Sequence, residues 1–273
     1  MGEKQTESVV LHISDAHYGK RTRTFGPDVF KQRMDALGER MAGIKDLLGG
    51  GYNLPELVVC CTGDLNDGTD IYAGQPHEQA ESDVEEQASQ VATYLHGWLK
   101  RQKELWGSVR FEAVPGNHGR VGKYAAVTAN WDKVAYRYLK LLCGDSISVN
   151  FPGRGESPFL RKIKVRGHDI LLYHGHEIRT YSSIPWYGML LRLSKWATTG
   201  LYPIDLALMG HFHTVGDWPI NRIRLLCTGT AVTNDDWALE TLGWESQTAW
   251  WLFGVSDERP VTWQFRMEMG AAA

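Results

Sequence analysis

The sequence predicts an α/β fold, and three observations carry that prediction. Short, nearly continuous apolar runs recur along the chain, as expected of strands covered on both faces. Stretches with helical spacing lie between them. Most of the runs end abruptly in glycine and polar residues, which marks turns at strand ends.

Taken in order, the first predicted strand is VVLHIS (9–14), followed by a helix over 28–48. LVVCCTGD (57–64) is the second strand, and a helix is expected over 78–105. FEAVPG (111–116) precedes a third helix over 130–143. DILLYHG (169–175), DLALMGH (205–211) and RLLCTGT (224–230) complete the set, with a short amphipathic helix centred on 186–196. TAWWLFGV (248–255) and PVTWQFRMEM (260–269), joined by SDERP, predict an antiparallel hairpin within 246–270. With no internal repeat and no low-complexity linker, residues 1–273 are expected to form one domain, its motifs lying within 9–230.

Hydrophobic content of 43% and charged content of 22% are those of a globular protein. A net charge of −3 excludes a chain that is basic as a whole and built to bind nucleic acid through overall charge. The four cysteines, Cys60, Cys61, Cys143 and Cys227, include no CxxC pair, so reduced structural thiols and a cytoplasmic location are expected. The polar N-terminus predicts no signal peptide, and no run reaches membrane-spanning length. MGEKQT fits a loose N-myristoylation pattern through Gly2 and Thr6.

The polar residues with metal-ligand chemistry fall at strand ends. Asp15 and His17 follow the first strand, Gly63 and Asp64 the second, and Asn117 and His118 the third. His174 and His176 end the fourth, and His211 and His213 the fifth. A lone histidine at a strand end is more often a hydrogen-bonded structural residue than a ligand. Five such sets converging on one sheet rim would bring imidazoles and carboxylates together at a cost in desolvation and repulsion unless a cation joined them. The donors are oxygen and nitrogen, which suits Mn, Fe, Zn, Co or Ni and excludes a soft Cu(I) or iron–sulfur site. They number about twice what one ion needs, so two divalent ions are expected, the usual apparatus for phosphate-ester hydrolysis.

In this order the motifs DxH, GD, GNH, H and GHxH, spanning Asp15 to His213, resemble those of the calcineurin-like metallophosphoesterases, and look closest to small members related to the Mre11/SbcD nucleases. The resemblance implies two mixed β-sheets in a sandwich flanked by helices, with the site at the strand ends. It implies one metal held by Asp15, His17 and His213, a second by Asn117, His174 and His211, and a bridging Asp64. Mn²⁺ is the favoured ion. It further implies that a hydroxide between the metals attacks phosphorus while His118, not itself a ligand, protonates the leaving oxygen. One departure stands out. Many members have Asp or Glu directly after GNH, where it orients the histidine, and here Gly119 and Arg120 follow. Arg120 is a candidate for binding phosphate, and His176 for a role facing substrate.

Phosphodiesters, nucleotide or nucleic-acid ones among them, are the favoured substrates. A phosphomonoesterase and a non-catalytic scaffold of the same fold are the alternatives. Residues 151–200 hold eight Lys/Arg against three acids, which either form a groove for a polyanion or alternate outward on a strand in RKIKVRGHD. The aromatic stretch 182–202 reads as an added helix packing on the sheet, with a lid, a base-stacking surface or a dimer contact as its functional alternatives. The acidic 77–87 reads as a solvated first helical turn.

Overall fold

The computed structural model describes residues 4–72, 75–80, 83–122, 124–126, 128–181, 185–234 and 246–270. Gly2, residues 182–184 of the aromatic stretch and the alanine tail at 271–273 lie outside them. In chain order the elements are β1 (Gln5–Ile13), α1 (Pro27–Leu48), β2 (Tyr52–Cys61), α2 (Val84–Trp106), β3 (Ser108–Ala113), α3 (Trp131–Cys143), β4 (Ser148–Asn150), β5 (Leu160–Val165), β6 (His168–Tyr173), α4 (Trp186–Trp196), β7 (Leu206–Met209), β8 (Gly216–Ile220), β9 (Ile223–Cys227), β10 (Ala249–Val255) and β11 (Gln264–Glu268).

The strands form two sheets among the described residues, ordered β11-β10-β1-β2-β3-β4 and β5-β6-β7-β9-β8. Both are mixed. In the first, β1, β2, β3 and β4 run parallel and the C-terminal hairpin adds β10 and β11 antiparallel. In the second, β6, β7 and β9 are parallel, with β5 and β8 antiparallel at the edges.

The layering follows from side-chain alternation along each strand. On β1, Val9, Leu11 and Ile13 pack under the helices with Phe30, Met34, Leu95, Trp98 and Tyr136. Val10, one residue out of phase, joins Val58, Cys60, Leu172, Leu208, Leu226 and Phe253 between the sheets. On the far side Leu171, Tyr173, Ala207 and Met209 meet Met189 and Leu193 of α4. The result is four layers, helices on sheet on sheet on helix.

Local signals fix the helix ends. Pro27 starts α1 at a position that needs no backbone N–H. α2 begins at Val84, later than the spacing predicts, because the Asp83 side chain accepts the Glu86 N–H and caps it there. Glu85 and Glu86 fill its first turn, as the acidic stretch predicts. β5 alternates as RKIKV predicts: Ile163 and Val165 are buried, while Lys162 and Lys164 face out and pair with Asp169. Its neighbours Arg161 and Arg166 pair with Glu112 and Asp257, both at 3.1 Å. The four cysteines are free and buried, and burial raises their pKa, that of Cys61 to about 12. Among the described residues, no helix is long and apolar enough to cross a membrane.

Candidate metal centre

Register brings the predicted motifs together. Ile13, Cys61 and Ala113 are paired neighbours at the ends of β1, β2 and β3, and Tyr173 and Met209 at the ends of β6 and β7. The first two loops continue side by side past their strands, with Asp15 N–H donating to Gly63 O and His17 N–H to Asp64 O, both at 3.0 Å. The two sheets are tied across the centre by His211 N–H, which donates to Asp15 Oδ2 at 2.8 Å.

Asp15, His17, Asp64, His211 and His213 all have positive φ, between 45° and 72°. Side chains other than glycine adopt this backbone at a cost and hold it only where the surroundings over-determine it, a pattern concentrated at functional sites. Close approach of the second and third loops explains the glycine of GNH. A Cβ on Gly116 would lie 2.1 Å from Asp64 Oδ1.

Among the described residues the side chains converge in three groups, each with its ligand atoms within 4.8 Å of one another: Asp15, His17 and His213; Asp64, His174 and His211; and His17, Asp67 and His118, which shares His17 with the first. In the first, His17 Nε2 lies 3.1 Å from His213 Nε2, which is 3.3 Å from Asp15 Oδ1. In the second, His174 Nε2 lies 3.0 Å from Asp64 Oδ2 and 2.8 Å from Asn117 Oδ1. Nitrogens facing nitrogens and a ligand oxygen at such distances share a point that a cation can occupy.

Three observations test the fit to metal. Asp15 Oδ1 is buried and, though His213 Nε2 stands 3.3 Å away, makes no hydrogen bond of good geometry, so a cation between the two would satisfy it. His174 Nδ1 lies 2.7 Å from the Thr62 carbonyl and can only donate to it, which leaves the Nε2 lone pair for a metal. His17 is arranged alike, with Nδ1 at 3.1 Å from Asp67 Oδ1. These second hydrogen bonds fix the tautomer that ligation requires. The residues fit divalent cations.

Electrostatics agree. Burial pushes the Asp15 and Asp64 carboxyls up, but the surrounding imidazoles hold both well below the usual carboxylate range. Burial and the charge of His174 push His211 down to about 3, and burial and His118 lower His17. Buried anions beside neutral imidazoles are the protonation states that ligands need. His174 differs. Burial lowers it, the Asp64 charge outweighs that, and its pKa rises to about 9, so a proton competes with a cation there.

His118 lies outside the two ligand groups that contain Asp15 and Asp64. Its backbone N–H donates to Asp64 Oδ1 at 2.7 Å, and its ring meets the His17 ring edge-on with centroids 4.4 Å apart. Its Nδ1 is 3.4 Å from Asp67 Oδ1 and 3.2 Å from the Asp67 carbonyl oxygen. Burial opposes protonation of His118, and Asp64 and Asp67 more than offset it, so its pKa is raised. Asp67 is the carboxylate that sequence reasoning missed. It stands in TGDLND, three residues after Asp64, and supplies what position 119 lacks. A side chain at 119 has no room, because its Cβ would lie 2.5 Å from Asn130 Oδ1. Arg120 reaches the rim, with Nε donating to the Asn117 carbonyl at 3.0 Å. His176 packs its ring on Phe159 at 4.6 Å and lies 5.7 Å from the His174 ring, beside the ligand groups but in none of them.

In motif order and in its layers the chain resembles the calcineurin-like metallophosphoesterases. No family model matches the sequence, and no curated protein is significantly similar to it. Solved structures do match. A predicted phosphoesterase from Streptococcus pneumoniae is 14% identical, covering 97% of this chain and 99% of that one, with a TM-score of 0.37. Zinc-bound Vps29 from Entamoeba histolytica is 13% identical over 96% and 99%, with a TM-score of 0.43. An archaeal phosphodiesterase is 10% identical over 95% and 99%, with a TM-score of 0.44.

Proposed function

We propose that this protein hydrolyses phosphate esters, phosphodiesters in particular, at a centre of two divalent ions, Mn²⁺ foremost. The observation that supports this best is the pair of largely buried ligand groups at one rim, with His118 beside both. Asp15, His17 and His213 would hold one ion, and Asn117, His174 and His211 the other. Asp64, whose Oδ1 accepts the His118 N–H and whose Oδ2 faces His174 Nε2, would be the carboxylate the two ions share. Bound there, the ions supply an activated water and neutralise phosphoryl charge.

The chain's own residues supply the remainder. Asp67 holds His118 at Nδ1, which leaves Nε2 to carry the proton delivered to the leaving oxygen. The charges of Asp64 and Asp67 outweigh burial and raise the pKa of His118, which favours its protonated form. Arg120 brings one guanidinium to the rim, a match for the single negative charge of a diester.

The test is hydrolysis of bis-p-nitrophenyl phosphate against p-nitrophenyl phosphate with Mn²⁺, using Asp64→Ala as the blank. Preference for the diester is expected. Preference for the monoester makes the protein a phosphatase, and equal rates in the blank overturn the site. His118→Ala should keep about two bound ions per chain and lose roughly 10²–10⁴-fold in rate, less for good leaving groups.

A further inference from the structure

Tyr72 lies on the loop that follows Asp67 and is not a residue the motifs single out. Its ring packs on that of His118, with centroids 4.8 Å apart. Its hydroxyl oxygen accepts hydrogen bonds from Asn117 Nδ2 and, at 3.3 Å, from Arg120 Nη2. An amide nitrogen and a guanidinium nitrogen donate and cannot accept. The phenol oxygen therefore spends its acceptor capacity on these two, and its own hydrogen has to go elsewhere. Among the described residues it has no acceptor.

Arg120 is held in the same place twice, by Tyr72 and by the Asn117 carbonyl. Two of its nitrogens are used this way, which leaves further N–H groups of the fork uncommitted. An O–H and a guanidinium thus stand side by side, 3.3 Å apart, the phenol with its ring on His118 and its oxygen on the Asn117 side-chain amide, the guanidinium on the Asn117 carbonyl. An oxygen bearing negative charge satisfies both donors at once, and charge-assisted bonds of this kind are the strong ones.

We propose that Tyr72 and Arg120 form a paired donor site for a non-bridging phosphoryl oxygen of the substrate. Tyr72 is then a residue that touches the substrate and holds the phosphoryl group under His118. This rests on the phosphoesterase reading above. The same hydroxyl orients the Asn117 amide, since taking Nδ2 leaves Oδ1 facing His174 Nε2 at 2.8 Å. The experiment has to separate these two roles.

Tyr72→Phe keeps the ring on His118 and removes only the hydroxyl. Wild type, Tyr72→Phe, Arg120→Gln and the double variant are compared with Mn²⁺ saturating throughout. Bound metal is counted, inorganic phosphate affinity is measured by calorimetry, and KM and kcat are measured on bis-p-nitrophenyl phosphate. Tyr72→Phe should keep the wild-type metal count and bind phosphate about ten-fold or more weakly, the usual worth of a hydrogen bond to a charged group. The double variant should lose less than the product of the two single losses, because both donors serve one oxygen.

Wild-type phosphate affinity in Tyr72→Phe overturns the proposal. So does a Tyr72→Phe protein short of metal while Arg120→Gln binds phosphate normally, which assigns Tyr72 to holding Asn117 alone. A wild-type protein that takes up no metal overturns the phosphoesterase reading itself, a failure distinct from that of Tyr72.

Discussion

Asp67 and Gly119 show how the ring of His118 is supported from a neighbouring loop and not from its own. In the proposed role His118 carries a proton on Nε2 with a carboxylate at Nδ1, and position 119 has no space for one. Asp67 meets the need from the neighbouring loop and serves His17 as well. Its effect on pH has a definite sign. On the proposed mechanism His118 acts in its protonated form, so the rate would fall as pH rises through the His118 pKa, and Asp67 is among the charges that raise that pKa. Replacing Asp67 by neutral Asn should therefore move the alkaline limb of the kcat profile to lower pH, and an unmoved limb would remove Asp67 from this role. Restoring an acid at 119 should not help. Gly119→Asp in the Asp67→Asn background is expected to leave the limb where it is and to lower the melting temperature, since overpacking costs about 1–3 kcal/mol.

At the level of elements, the first turn of α3 sets the distance between the β2 and β3 loops. Asp132 is fully buried there. Its Oδ2 accepts Gly116 N–H at 2.8 Å, and its Oδ1 accepts Asn66 N–H at 2.9 Å and Asn66 Nδ2 at 3.1 Å. Asp132→Ala leaves these donors unpaired, at about 1–3 kcal/mol each, and should loosen the loops that carry Asp64 and Asn117. Asp132→Asn keeps one acceptor oxygen and should lose less. Thermal melts and Mn²⁺ titrations of the two variants check the order, and equal losses would contradict it. The helix itself was legible in the sequence, because residues 130–143 carry both the cap and the apolar spacing. Its anchoring of two loops was not, since those contacts span 16 and 66 residues. β4 and β8 were also missed. β4 has three residues, too few to show a period, and β8 contains Pro219, which argues against a strand unless it lies at a sheet edge, as this one does.

Over the whole molecule, strand ends in the sequence became one rim because the parallel register of β1, β2 and β3 and of β6 and β7 places those ends level. The order of the motifs was therefore enough to indicate which residues meet. Supporting groups such as Asp67, Tyr72 and the Thr62 carbonyl carry no periodic signal and emerged only from packing. The same layering traps a titratable group away from the rim. His12 follows the phase of Val10, is fully buried, bonds Thr62 Oγ1 at 3.0 Å through Nε2, and leaves Nδ1 without a partner. Burial, only partly opposed by Asp15, pushes its pKa down to about 3. The unfolded chain protonates a histidine near 6.5 and the native state cannot, so stability is full above pH 6.5 and falls as the pH drops toward 3. The slope approaches about 1.4 kcal/mol per pH unit for one such group. His211 and His176 are lowered likewise and His174 is raised, so the pH dependence of one protein mixes several groups. A difference between variants isolates one of them. His12→Leu removes this proton linkage and leaves the others in place. In chelator, urea unfolding at pH 7, 6 and 5 should show the Leu variant gaining on wild type as the pH falls. A difference constant across that range would mean that His12 takes up a proton in the native state, and that the space between the sheets is more polar than its Val, Leu and Phe lining implies.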